Sequence, residues 1–320
     1  MTALKVQPSS PELSPDRILR STQEGVRHRG GRQIRFKIGT VEAHGLARIE
    51  MLVVGRELLI GRTINTNSHW VGKRLAVMGT MIARITTVDD DLREISSSLE
   101  EVMSRRPDFL IVVGGLGPTP DDMTLRGVGM GLGREMRLSR PALQLIREHY
   151  AQIGRSDFRI TAARRKMAVL PEGATPLPNQ KGTAPGVRLL VGSTVVFCLP
   201  GVPVEMKSIF AHSVAPEVKS RIGRLYRAAA RLKLEGIFES ALAPMIAKEL
   251  TKHPAAYIKS HPRGVKDGVS RIELDAVVVD RRGAIAKETV EGIVKSLGEK
   301  VGRAGGRIVW AHGVQLGNLE

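Results

Sequence analysis

The feature that most constrains this chain is the passage from Phe109-Leu110-Ile111-Val112-Val113 into Gly114-Gly115-Leu116-Gly117-Pro118-Thr119-Pro120-Asp121-Asp122-Met123-Thr124. The first five residues are apolar and largely β-branched without alternation, the pattern of a strand covered on both faces of a parallel sheet. Three glycines then let backbone N–H groups approach a ligand, because no Cβ intervenes. Two adjacent carboxylates and two threonines supply groups that hold a divalent cation or orient a water. A strand ending in a glycine loop, with acids opening the next helix, predicts an anion site at the carboxyl edge of an α/β sheet. The plainer alternative is a tight turn and a capped helix start, since Asp and Thr favour N-caps.

The surrounding residues alternate strand and helix. Residues 49–54 read as a strand, 67–78 as a helix ending at Gly79, and 81–88 as a second strand. Residues 92–104 place Leu92, Ile95, Leu99, Val102 and Met103 at helical spacing, ahead of the strand that enters the glycine loop. This βαβαβ order predicts an α/β fold, a mostly parallel sheet between two layers of helices. Residues 140–167 read as mostly helical, 187–191 and 194–199 as a hairpin about Gly192-Ser193, and 202–222 as a closing helix. A second, smaller α+β unit begins near Arg224, with strand, helix, two strands and helix over 227–301.

The expected boundaries are a disordered or weakly ordered arm over 1–47, the α/β domain over 48–223, the small domain over 224–303, and an irregular tail over 304–320. The arm is polar, with Pro8-Ser9-Ser10-Pro11 and a basic stretch from Arg27 to Lys37. A later start of translation is an alternative, because Met51 stands inside the first convincing strand.

At 320 residues the chain can bury a substantial core. No apolar run approaches the roughly 20 residues that span a bilayer, and the N-terminus lacks a basic-then-apolar secretory pattern. The single cysteine, Cys198, lies in an apolar run and reads as a buried, inert thiol; the expected compartment is the cytoplasm. A net charge of +17 favours phosphorylated small molecules or nucleic acid, but aromatics are only 3%, so stacking platforms for single strands are scarce. Nucleic-acid binding and membrane insertion are therefore not the expected roles.

Four further loops carry small and polar residues where strands end or begin. Gly55 to Ser68 contains Glu57, Asn65 and Asn67; Ser68 reads as a helix cap, whereas Glu57 and the two asparagines share an edge with the glycine loop. Val88-Asp89-Asp90-Asp91 puts three acids before a helix, where they complement its dipole. Asp90 is the acid expected to face Asp122 across neighbouring strand ends, a pair that could bind Mg²⁺ and activate a water against a phosphoanhydride. In Asn179 to Gly186 the small residues Gly182, Thr183, Ala184, Pro185 and Gly186 allow close ligand approach. Pro200, Gly201, Pro203 and Glu205 form a rigid turn into a helix.

Other patterns carry less. Gly127, Gly129, Gly131 and Gly133 lie in a helix pattern and miss the dinucleotide spacing, so they read as close helix packing. No phosphate-loop lysine, serine elbow or Cys–His pair is present, and the eight histidines lack ligand spacing, which argues against zinc. No nicotinamide or flavin prosthetic group is expected.

Taken together the four loops resemble those of the molybdenum-cofactor-biosynthesis (MoaB/Mog) fold, in the form found in the N-terminal part of competence/damage-inducible CinA proteins, over about residues 49–222. That family's first loop usually reads Gly-Asp-Glu-Leu-Leu and then Asp-Thr-Asn; here stand Gly55-Arg56-Glu57-Leu58-Leu59 and Asn65-Thr66-Asn67. Arg56 replaces an acid by a base and offers a phosphate contact instead of a metal ligand. The resemblance implies a usually oligomeric domain that binds pterin or nucleotide phosphates. Its relatives include molybdopterin adenylyltransferases and pyrophosphatases acting on ADP-ribose-like dinucleotides. On that reading Asp90 and Asp122 hold metal or orient water, and the amides of Gly115, Gly117 and Thr119 cradle phosphate. Asn67, Asn179 and Glu205 fix the ligand, with Gly114, Pro118, Asp121 and Thr124 beside them. The expected activity is metal-dependent hydrolysis of a dinucleotide pyrophosphate; the alternatives are a non-catalytic binding module or adenylyl transfer.

Overall fold

The computed structural model describes residues 24–29, 32–37, 47–154 and 159–318. It divides into a unit of residues 1–43 and a unit of residues 44–320. In the first, β1 (Glu24–Arg29) pairs antiparallel with β2 (Arg32–Lys37), with Arg29 opposite Arg32. These twelve residues fall within the stretch expected to be a disordered or weakly ordered arm, and the rest of 1–46 lies outside the described residues.

The second unit begins with β3 (Ile49–Val54), the short α1 (Arg56–Leu59), α2 (Thr66–Val77), β4 (Ile82–Val88), α3 (Leu92–Ser104) and β5 (Phe109–Val113). After the glycine loop come α4 (Thr124–Gly131), β6 (Met136–Leu138), α5 (Arg140–Gln152), α6 (Ala162–Lys166) and β7 (Val169–Pro171). Then β8 (Thr175–Leu177), β9 (Gly186–Val191), β10 (Thr194–Leu199), α7 (Pro203–Ile209), a π-helical turn at Phe210–Val214 and α8 (Ala215–Ile222) complete the domain. The main sheet runs β4-β3-β5-β10-β9-β8, with the first four strands parallel and β9 antiparallel to both its neighbours. A small antiparallel pair, β6 with β7, stands apart from it.

The period of two along each strand builds two cores. Leu52 and Val54, Leu110 and Val112, and Val196 and Cys198 join Ile95, Leu99 and Val102 of α3, Val128 of α4 and Ile146 of α5. The intervening residues Met51 and Val53, Phe109 and Ile111, and Phe197 and Leu199 join Val71 and Leu75 of α2 with Met206, Ile209 and Val218 of the closing helices. Strands buried on both faces must be apolar throughout, so the central runs show no alternation. Cys198 is fully buried, and burial pushes its thiol up to about 12.

Of the four glycines expected to serve close helix packing, Gly127, Gly129 and Gly131 lie in α4 with no room for a Cβ, whereas Gly133 lies beyond it at φ +60° with open space around it. A Cβ at Gly127 would stand 2.5 Å from Ile95 Cγ2, and one at Gly131 would stand 2.8 Å from the Ser96 carbonyl, so α3 and α4 meet backbone to side chain. Gly127→Val should destabilise the domain by about 1–3 kcal/mol through overpacking. Urea denaturation checks this, and a midpoint at the wild-type value would contradict the packing role.

One acid lies inside this domain. Glu50 of β3 is 0% exposed, and Arg105 Nη2 donates to its Oε2 at 2.7 Å while Arg48 Nε donates to Oε1 at 3.1 Å. Burial alone would raise this carboxyl, but Arg105 and Arg48 hold it below its usual range.

The small domain contains β11 (Tyr226–Glu235), α9 (Glu239–Lys252), β12 (Ala256–Lys266), β13 (Val269–Asp280), α10 (Gly283–Arg303) and β14 (Arg307–Asn318). Its antiparallel sheet runs β12-β13-β11-β14. One face (Ala228, Leu232, Leu274, Ala276) packs on Leu242 of α9 and on Val290, Ile293 and Leu297 of α10. The other carries cross-strand ion pairs such as Arg231–Asp275 at 2.6 Å. The tail expected to be irregular is corrected: β14 pairs with β11 from Glu235↔Arg307 to Tyr226↔Asn318. Its glycines weaken any local strand signal, and the pairing partner lies about 70 to 90 residues earlier in the chain. Among the described residues no helix is long and apolar enough to cross a membrane.

Candidate functional site

The carboxyl ends of β3, β5 and β10 meet at one edge of the sheet. Gly114 N donates to the Leu199 carbonyl at 3.0 Å, and Gly55 N donates to the Val88 carbonyl at 3.0 Å. Gly114 has φ +115°, and a Cβ there would stand 2.1 Å from the Val54 carbonyl oxygen. Gly115 has φ +57°, with room for a Cβ blocked by Thr124 Oγ1 at 2.4 Å. Both glycines are therefore required by geometry, and the chain turns sharply off β5.

The turn leaves three consecutive donors in place. The N–H groups of Gly115, Leu116 and Gly117 donate to no protein acceptor among the described residues. All three residues line a cavity of about 610 Å³. Successive N–H groups around a left-handed residue form an anion-binding concavity. Thr119, expected to contribute its amide, does not: its N–H donates to Asp122 Oδ2 at 2.8 Å and its hydroxyl donates to the same oxygen at 2.6 Å. Asp122 N donates back to the Thr119 carbonyl at 3.1 Å, closing a turn with Pro120 at its second position. Leu116 N–H, rather than that of Thr119, stands beside those of Gly115 and Gly117 without a protein acceptor among the described residues.

The other loops complete the cavity. Thr183, Ala184, Pro200, Gly201 and Glu205 line it together with Gly115, Gly117, Pro118 and Asp122. Asn179 Nδ2 donates to Glu205 Oε2 at 2.6 Å and to the Ala184 carbonyl at 2.9 Å, tying the loop before β9 to the start of α7. Gly182 lies under that carboxylate, where a Cβ would stand 2.1 Å from Glu205 Cδ. Pro185 and Gly186 are buried where the loop enters β9. Pro203 is exposed in the first turn of α7. Asn67 Nδ2 donates to the Gly201 carbonyl at 2.7 Å and leaves a buried Oδ1 with no partner. The Thr124 hydroxyl, behind Gly115, is also buried without a partner. Asn65 is the helix cap, accepting from Ser68 N at 3.0 Å, while Ser68 Oγ, expected to cap, has no partner.

The expected carboxylate pair is not formed by neighbouring strands. Asp90 follows β4 and Asp122 follows β5, but β3 lies between them in the sheet, so their strand ends are about 9.5 Å apart. Sequence order suggested adjacency because β4 and β5 are joined by one helix, whereas β3 inserts between them. Asp90 Oδ2 accepts from Arg56 N at 2.8 Å. Burial, with Glu57, Asp89 and Asp121 nearby, pushes the Asp90 carboxyl above its usual range. Arg56, expected to reach a phosphate, instead grips Asp89, with Nη2 to Oδ2 at 2.8 Å. Glu57 is exposed, with its carboxylate over Gly55, and Asp121 is exposed on the turn. No group of three His, Cys, Asp or Glu able to hold a metal occurs among the described residues.

Two contributions went unread in the sequence. Lys166 Nζ donates to the Thr119 and Asp122 carbonyls, the latter at 2.7 Å, bracing the turn from α6. The Arg164 guanidinium lies 4.1 Å from the centre of the Tyr150 ring, and both residues line the cavity wall. A basic run at 164–166 was the only signal, and nothing local ties it to a loop more than 40 residues earlier.

A mostly parallel sheet between helices, with a glycine turn of three unpartnered N–H groups at its carboxyl edge, places the domain in the α/β class. Residues 50–220 match the family described as probable molybdopterin binding domain. A protein of Metallosphaera sedula is 40% identical over 261 residues, covering 79% of this chain and 97% of its own. A Pyrobaculum arsenaticum protein is 39% identical over 251 residues, covering 78% and 92%. The crystal structure of the protein CinA from Thermoplasma acidophilum is 36% identical, covers 53% of this chain and 98% of its own, and has a TM-score of 0.49. The chain belongs to the molybdopterin-binding-domain family and carries the CinA-type form of its loops.

Proposed function

We propose that the cavity binds the phosphates of a pterin or nucleotide and, with a divalent cation such as Mg²⁺, hydrolyses the pyrophosphate of a dinucleotide such as ADP-ribose. The observation that supports this most is the run of three N–H groups at Gly115, Leu116 and Gly117 without protein acceptors on the cavity wall. Asn67 Oδ1 would accept from a ring or amino N–H of the ligand, ending its unpartnered state. The Asn179–Glu205 bridge would hold the facing wall in place.

The donor set fits a cation shared with the ligand rather than one caged by protein, since Mg²⁺ commonly takes one or two carboxylates and completes its shell with phosphates and water. Asp90 would hold it, because its crowded acidic surroundings favour positive charge. Asp122, with Oδ2 committed to the turn, would reach it through Oδ1. When bound, the ion would polarise a phosphoryl oxygen.

The test is incubation of the full chain with ADP-ribose and Mg²⁺, with AMP release followed by chromatography. Turnover reduced about 100-fold or more by Asp90→Asn is the expected result. Absence of turnover with ADP-ribose and other dinucleotides would sink the hydrolytic reading. A second reading, binding without turnover, is favoured by the strand that separates Asp90 from Asp122; retained nucleotide affinity without product would identify it. AMP attached to a pterin acceptor would identify adenylyl transfer.

A further inference from the structure

Lys166 closes α6, and its ammonium meets three carbonyls of one short loop: those of Thr119, of Asp122 at 2.7 Å and of Gly117 at 3.4 Å. Three acceptors match the three donors of an ammonium. Gly117 and Thr119 each precede a proline. Their carbonyls therefore belong to peptide units without an N–H, which leaves those units no donor to offer elsewhere. Convergent carbonyls on one point are the arrangement by which a loop holds a small cation, and here that point is filled from 44 to 49 residues away in the chain. Asp121 and Asp122 add negative charge around the ammonium, while Arg126 and burial oppose it.

We infer that Lys166 is a tethered cation that holds residues 117–122 in the shape in which the preceding amides face a ligand, a positioning residue for the site. With the carbonyls of 117, 119 and 122 gathered on the ammonium, the loop cannot rotate those peptides toward the cavity and set oxygen dipoles against a phosphate. The functional half of this inference rests on the proposal that the loop binds phosphate. The conformational half stands by itself.

The experiment compares wild type, Lys166→Ala and Lys166→Met in the full chain. Amide hydrogen exchange at Thr119, Asp122 and Thr124, the loop amides that are hydrogen-bonded, should accelerate by about tenfold or more in both variants, as loss of a charge-assisted hydrogen-bond set predicts, with β3 and β10 unchanged. Propylammonium replaces the atoms removed in Lys166→Ala and should restore slow exchange there, but not in Lys166→Met, where the space is filled. Sodium at equal ionic strength should restore neither. Affinity for inorganic pyrophosphate with Mg²⁺, by calorimetry, should fall about tenfold or more in Lys166→Ala and recover with propylammonium. Wild-type exchange in both variants, or loss in folded Lys166→Ala that propylammonium does not reverse, overturns the inference. Should Lys166→Ala fail to fold, Lys166→Met decides: acceleration confined to 115–124 supports the role, and unchanged exchange rejects it. A wild type without affinity for pyrophosphate or any dinucleotide defeats the phosphate-binding reading instead, while loop exchange still decides what Lys166 does.

Discussion

Gly114→Ala is expected to cost more stability than any other methyl-sized change in the site. Gly114 sits at φ +115°, a region that residues with a side chain adopt only at about 1–3 kcal/mol. The added methyl would also stand 2.1 Å from the Val54 carbonyl oxygen, which is backbone in the centre of the sheet and cannot swing away. Overpacking of that kind costs about 1–3 kcal/mol more. The combined loss, roughly 2–6 kcal/mol, is a large share of the total stability of an ordinary domain. Chemical denaturation of the variant measures it. Any molecules that still fold must separate β3 from β5 at their carboxyl ends, so nucleotide affinity should fall with stability. A variant of wild-type stability would mean that the turn off β5 is not held as described.

Glu50→Ala should be comparably damaging, for an electrostatic reason. Removing one partner of a buried pair leaves the other uncompensated, at about 3–5 kcal/mol. Arg105 is only 17% exposed, and although Glu101 also pairs with it, Glu50 receives its Nε and Nη2. The same pair makes stability depend on acid. Because the folded protein holds the Glu50 carboxyl below its ordinary 4.5, the stabilisation is complete above that pH. It is lost as pH falls through the lower folded-state value. Denaturation midpoints should therefore drop between about pH 5 and 3 in wild type, and Glu50→Gln should show a shallower drop over that window. Parallel profiles would remove Glu50 from the account.

What could be read beforehand follows from range. The central strands and α3 announced themselves because burial on two faces, or on one, imposes its period on consecutive residues. The glycine loop was legible because left-handed turns demand glycine at fixed positions, as at Gly114 and Gly115. Close packing at Gly127 was legible for a related reason, since only a missing side chain admits Ile95. The strand β14 was not, because its stability comes from pairing with distant β11. Nor was the role of Thr119, whose amide turns inward to Asp122 once the prolines set the turn.

The sequence by itself determined the layered α/β architecture and the glycine turn off β5, because periodicity and glycine geometry are properties of neighbouring residues. Tertiary structure alone decided which carboxylates share an edge and which lysine braces the loop. Strand order placed β3 between Asp90 and Asp122, and the packing of α6 brought Lys166 to Gly117, Thr119 and Asp122. Neither outcome is encoded in local spacing, since both depend on where distant segments settle to bury their apolar faces.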